Sequence, residues 1–156
     1  MSSLSERFRS RRSTSMVVDG EVVFSVYRKR VQIGDTLRVE RVSCSPDREQ
    51  SINLSCNRAL LRINGIAASA VALRSSRCPE AVEIVVEPVT SDIGPDASGP
   101  VDIVCWNSWF VDEIEHAWVG EAGMRLGGTE PIRLECSDGL GDADFDDLVV
   151  DIITEP

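Results

Sequence analysis

The chain has 156 residues, a net charge of −10 and 42% hydrophobic residues, of which few are aromatic. That length suits one domain with a continuous core that needs neither disulfides nor a metal to close. No apolar run approaches the roughly 20 residues of a membrane-spanning helix, and a surface this acidic repels phosphate backbones and disfavours nucleic acid as a partner.

Residues 1–15, MSSLSERFRSRRSTS, carry Arg7, Arg9, Arg11 and Arg12 against Glu6 alone. Polar, basic and rich in serine, they read as a flexible arm ahead of a single domain over residues 16–156. The segment lacks the apolar stretch of a secretory signal, so a cytoplasmic location is the default expectation.

After the arm come short runs rich in β-branched residues, broken by Gly, Pro, Asp and Ser at the spacing of an all-β sandwich or barrel. MVV and EVVFSVYRKRV flank Asp19-Gly20, a pair that tolerates positive φ and predicts a tight type I′ hairpin. TLRVERVSC, SINLSC, ALLRING, SAVALRS, AVEIVVEPV and PVDIVCW are the next strands. Within the first of these, Leu37, Val39 and Arg41 point one way and Arg38, Glu40 and Val42 the other, an alternation in which neither face is purely apolar. SDIGPDASGP, residues 91–100, holds prolines and glycines that no central strand accepts and reads as a connection. FVDEIEHAWVGEAG fits two patterns: Val111, Ile114, Ala117 and Trp118 share a helical face, while Ile114, His116 and Trp118 share one side of a strand. PIRLEC and DLVVDIIT complete the set. The expected fold is an antiparallel β-sandwich of about eight to ten strands in two packed sheets.

The cysteines, Cys44, Cys56, Cys78, Cys105 and Cys136, are odd in number and never form a C-x-x-C pair. Cys44, Cys105 and Cys136 end the β-like runs RVSC, DIVC and RLEC, where a free thiol acts as a small core residue.

Between the last two runs, LECSDGLGDADFDD gathers Asp138, Asp142, Asp144, Asp146 and Asp147, with Glu135 just upstream. Charges this dense repel one another, and a hard divalent cation that accepts many oxygen ligands relieves them; calcium is the fitting ion. Gly139 and Gly141 let the backbone wrap closely, and the alternation through Asp142, Asp144 and Asp146 allows Phe145 to pack on protein. The plain alternative is a solvated acidic loop. An EF-hand does not fit, because the sixth position is Asp147 instead of Gly and the twelfth is Ile153 instead of Glu. The next residues, LVVDIIT, have a strand pattern, so the sequence predicts a calcium-binding loop placed before the last strand.

The D-x-D-[FY]-[ND]-D pattern of Asp142 to Asp147, leading into an apolar strand, resembles the calcium-dependent fucose- and mannose-binding bacterial lectins. It is also similar to a wider group of bacterial calcium-binding β-sandwich modules. The resemblance covers about residues 135–153 and implies Asp142, Asp144, Asp146 and Asp147 as metal ligands, with Glu135 or Asp138 as an additional upstream acid. Two neighbouring calcium ions ligate the sugar in those lectins, with an early Asn and a partner subunit's C-terminal Gly. This chain ends Ile-Thr-Glu-Pro, and a single structural ion fits its residues better.

Trp106, Trp109 and Trp118 cluster with Phe110 in a chain poor in aromatics. They are either core or, for Trp106 and Phe110, a platform for a sugar ring or an anchor at a protein interface, with Trp106 or Trp109 expected to assist ligand binding. Asp92 and Asp96 are further candidates for a calcium shell. His116 is the sole histidine; no nucleophile motif flanks it, and with Glu113 it supplies only one of the two motifs a di-iron helix pair needs. The sequence therefore points to a binding module, not an enzyme, with carbohydrate or another protein as partner. The alternative is a self-assembling structural protein, a homo-oligomer forming a shell, fibre or coat, whose basic arm reaches the acidic body of a neighbour.

Overall fold

The structure, a computed structural model, describes residues 2–89 and 99–156. A short helix α1 (Leu4–Arg11) leads into β1 (Ser15–Val18) and β2 (Glu21–Phe24), joined where Asp19 and Gly20 take φ of 51° and 82°. This is the type I′ hairpin that Asp-Gly predicts. The run expected to continue through Tyr27 instead breaks at Ser25 and Val26, and β3 (Tyr27–Gln32) enters the opposite sheet. Next come β4 (Thr36–Cys44), β5 (Gln50–Ser55), β6 (Leu60–Ile63), β7 (Ile66–Ala68), β8 (Ala70–Arg74) and β9 (Ala81–Glu87). After the stretch outside the described residues, which contains Asp92, Asp96 and most of the predicted connection, come β10 (Pro100–Val111) and β11 (Ile114–His116). The chain closes with β12 (Gly123–Thr129), β13 (Ile132–Ser137) and β14 (Leu148–Glu155).

Fourteen strands among the described residues thus replace the expected eight to ten, in two antiparallel sheets as predicted. The larger sheet runs β1-β2-β12-β13-β14-β4-β9-β6-β7; the smaller runs β11-β10-β5-β8, with β3 also on β10. Between them lies one apolar core. Leu37, Val39, Ile84, Leu134 and Val150 face it from the larger sheet, and Ile52, Leu54, Ile103 and Cys105 from the smaller. Alternation places them there: Leu37 and Val39 are buried, whereas Val42, of opposite parity, is 48% exposed.

All five thiols are free. Cys105 and Cys136 are core residues as expected, and burial pushes the Cys105 thiol up to about 12. Cys44 departs from the expectation and is exposed. The pairing of β4 with β14 slips between Val149 and Val150, just before this end of β4.

The basic segment is not an open arm over residues 4–11. Ser3 caps α1 by accepting the N–H of Glu6 at 3.3 Å, and Leu4 and Phe8, one turn apart, bury themselves with Met16 and Val23 in a second, smaller core. The ambiguous stretch after Phe110 is not a helix: Asp112 and Glu113 both take positive φ and turn β10 back onto β11, which ends at His116, and Trp118 lies beyond it in a bend at positive φ. Among the described residues no helix is long and apolar enough to cross a membrane.

Candidate functional site

The acidic loop joins β13 to β14, both in the middle of the larger sheet. Its neck is closed by backbone hydrogen bonds: the Asp147 N–H donates to the Cys136 carbonyl at 3.1 Å, and the Ser45 N–H donates to the Asp147 carbonyl at 2.7 Å. The Asp138 N–H donates to Oδ2 of Asp147 at 2.9 Å.

The sequence places Asp138 beside the ion, but its carboxylate is fully buried and engaged by the protein. Oδ2 accepts from Gln50 Nε2 at 3.0 Å and has Arg48 Nε at 3.1 Å; Oδ1 accepts the Leu140 N–H at 3.1 Å. A carboxylate held this way anchors the loop. Glu135 is likewise occupied, pairing with Arg125 Nε at 2.8 Å. The same guanidinium reaches Glu21 and lies 4.8 Å over the Phe145 ring, while Phe145 packs against the small core. Phe145 therefore turns inward between two acids, as the alternation predicts.

Asp144, Asp146 and Asp147 remain, each offering a carboxylate oxygen within 4.8 Å of the others; Asp142 stands outside this group. Burial, then repulsion from Asp138, Asp144 and Asp146, pushes the Asp147 carboxyl up to about 6, although the Asp138 N–H opposes the shift. Three crowded carboxylates with no nitrogen or sulfur donor form an all-oxygen set. Such a set fits a hard cation such as calcium and does not fit zinc or copper.

The loop is also fixed from below. Trp109, 1% exposed, is no ligand platform: a Cβ on Gly139 would fall 2.4 Å from its ring and 2.5 Å from the Val119 carbonyl. Only glycine admits so close an approach. Trp109 also stacks on His116, with centroids 6.3 Å apart. The sequence groups Trp106 with Trp109, but three residues apart on one strand they occupy opposite faces.

Trp106 does reach a surface. It stacks on Trp118 at 5.6 Å, and the pair walls a groove of about 450 Å³ over the outer face of the smaller sheet. Trp106, Asn53 and Ala72 are direct cross-strand partners there, so the small Ala72 leaves the groove open beside the indoles. Asn53 donates to the Trp106 carbonyl at 3.2 Å and to Ser108 Oγ at 3.0 Å, and Ser108 Oγ donates to Glu115 at 2.7 Å. Sequence reasoning misses Trp118 and Glu115 as groove residues. Glu115 lies on a short strand that the competing helical pattern hides, and Trp118 follows it at positive φ, outside any strand parity.

No family model, no curated protein and no solved structure matches the chain.

Proposed function

We propose that this chain is a calcium-binding β-sandwich module that recognises a ligand, with carbohydrate the favoured class, and that it is not an enzyme. The observation that carries the reading is the group Asp144, Asp146 and Asp147, whose oxygens converge within 4.8 Å on a loop already fixed by Asp138 and Trp109. A cation there would offset the repulsion that raises Asp147, and calcium completes its shell with further oxygens from backbone and water. The Trp106–Trp118 groove supports the carbohydrate part, since indole faces beside hydrogen-bonding groups suit the mixed apolar and hydroxylated faces of a sugar ring.

The test is thermal unfolding in excess calcium and in chelator, for the wild type and for Asp144→Ala/Asp147→Ala. An ion bound only by the folded state stabilises it by about 2.7 kcal/mol at a hundredfold excess over its dissociation constant. A midpoint that rises with calcium in the wild type alone supports the metal site; no response in either protein removes it. A glycan array with and without Trp106→Ala tests the ligand class.

Self-assembly is a second reading, favoured by different residues from those first expected. With Leu4 and Phe8 buried in the chain's own small core, the basic segment would meet a neighbour through its exposed arginines and not as an extended arm. Terminal strands do carry exposed apolar residues: Val17 on β1 at 59%, Ile66 on β7 at 70% and Ile114 on β11 at 62%. Unpaired edges of this kind are templates for strand addition. Sedimentation of the wild type against Ile66→Lys and Ile114→Lys decides it, because a monomeric wild type rules the reading out.

A further inference from the structure

A second cleft lies on the other side of Trp118, between its indole and α1, with a volume of about 360 Å³. The small-ligand sites of proteins begin at about this size. Its floor is apolar, formed by Phe8, Val26 and one edge of Trp118, and the Trp118 ring is fixed because Nε1 donates to the Ser25 carbonyl at 3.0 Å. Trp118 is still 47% exposed, which leaves ring surface for a ligand.

The rim has the opposite chemistry. Arg9 and Arg12 border the cleft with Thr14, and among the described residues neither guanidinium has an ion-pair or hydrogen-bond partner. Elsewhere, Arg62, Arg74 and Arg133 sit on carboxylates at 2.6–2.7 Å, in a chain of net charge −10. Acid is abundant, yet none of the described carboxylates is placed at this mouth. Two unpaired forks above an aromatic floor complement a molecule with an anionic head and an apolar body.

We infer that the cleft between α1 and Trp118 binds a small amphipathic anion, with its carboxylate, sulfonate or phosphate head on Arg9 and Arg12 and its apolar part on Phe8 and Trp118. The acidic body opposes such a ligand at long range, but screening over about 8 Å at physiological salt leaves the adjacent arginines dominant. Nothing in this site involves the acidic loop.

The probe is anilinonaphthalene sulfonate, an aromatic anion whose fluorescence rises in an apolar site, titrated into the full chain in the presence of chelator. Saturable binding is expected, displaced by decanoate but not by decyltrimethylammonium. Arg9→Gln/Arg12→Gln should weaken it roughly tenfold, the worth of one charge-assisted hydrogen bond. Trp118→Ala should weaken it as well, while Arg77→Gln, outside the cleft, leaves it unchanged. Both glutamines replace exposed side chains, and an unfolding midpoint equal to the wild type shows the fold intact. Absence of saturable binding, equal displacement by the cationic detergent, or full affinity in the double variant overturns the inference.

Discussion

The backbone N–H of Asp138 donates to Oδ2 of Asp147 at 2.9 Å, so the first and last acids of the loop are tied to each other. The Asp138 carboxylate meanwhile turns into the protein toward Gln50 and Arg48. The neck is assembled by the fold itself, and the five aspartates divide into one that anchors, three that converge and Asp142, which stands apart.

Asp138→Ala should therefore act on stability before it acts on metal. It leaves a buried Gln50 amide and a largely buried Arg48 unpaired, which costs about 3 kcal/mol and lowers the thermal midpoint by roughly 6 to 12 °C. The loss should persist in chelator. Differential scanning calorimetry of the two proteins without calcium checks it; equal midpoints would mean the anchor is idle.

Asp142→Ala and Asp144→Ala should separate. The D-x-D pattern gives them equivalent roles, but the geometry groups Asp144 with Asp146 and Asp147 and leaves Asp142 outside. The calcium-induced rise in midpoint should survive the first substitution and be largely lost in the second. Equal losses would show that the loop rearranges around the ion.

Gly139→Ala should destabilise by about 2 kcal/mol, the usual range for an overpacked site. The new methyl group meets the Trp109 ring and the Val119 carbonyl at once. Urea unfolding provides the measurement, and a near-neutral result would refute the tight seat of the loop on Trp109.

Acid should weaken the pairing of Glu49. Its carboxylate accepts from Arg74 at 2.8 and 2.6 Å and from Ser76, and the Arg74 hydrogen bonds, against burial, hold it at about 2 instead of its ordinary 4.5. A pKa depressed in the folded state contributes stability that is present above 4.5 and lost as pH falls toward 2. The stability difference between wild type and Glu49→Gln should thus be constant near neutrality and shrink across that window. A difference independent of pH down to 2 would contradict the assignment.

Much of the sheet framework was legible because alternation is a two-residue signal that a covered face enforces. TLRVERVSC coincides with β4, and Asp19-Gly20 marks the first turn. Two features hid. β12 carries Gly127 and Gly128 across a slip in its pairing with β13, and a Cβ on Gly127 would fall 2.7 Å from the Glu135 side chain, so this strand avoids bulky residues where a strand pattern would show them. The helix α1 did leave a mark, the Ser3-x-x-Glu6 capping box with Leu4 and Phe8 one turn apart, but its arginines make the segment look solvated. Within the loop, composition alone grouped every acid together. Deciding which of them point inward required the position of Arg48 and Gln50 on and beside β5, about ninety residues earlier in the chain.

The sheet order also constrains how the protein is made. Phe24 of β2 is registered with Met124 of β12, about one hundred residues later, and β4 lies directly against β14. At a synthesis rate of roughly 5 to 20 residues per second, the amino-terminal hairpin waits on the order of 5 to 20 seconds for its neighbour to leave the ribosome. Leu4, Phe8, Met16 and Val23 have one another and Val18 for cover in that interval, while Phe145 is still to come. This hairpin is thus translated well before the strand that secures it, and its apolar face is surface that a nascent-chain chaperone could hold in the meantime.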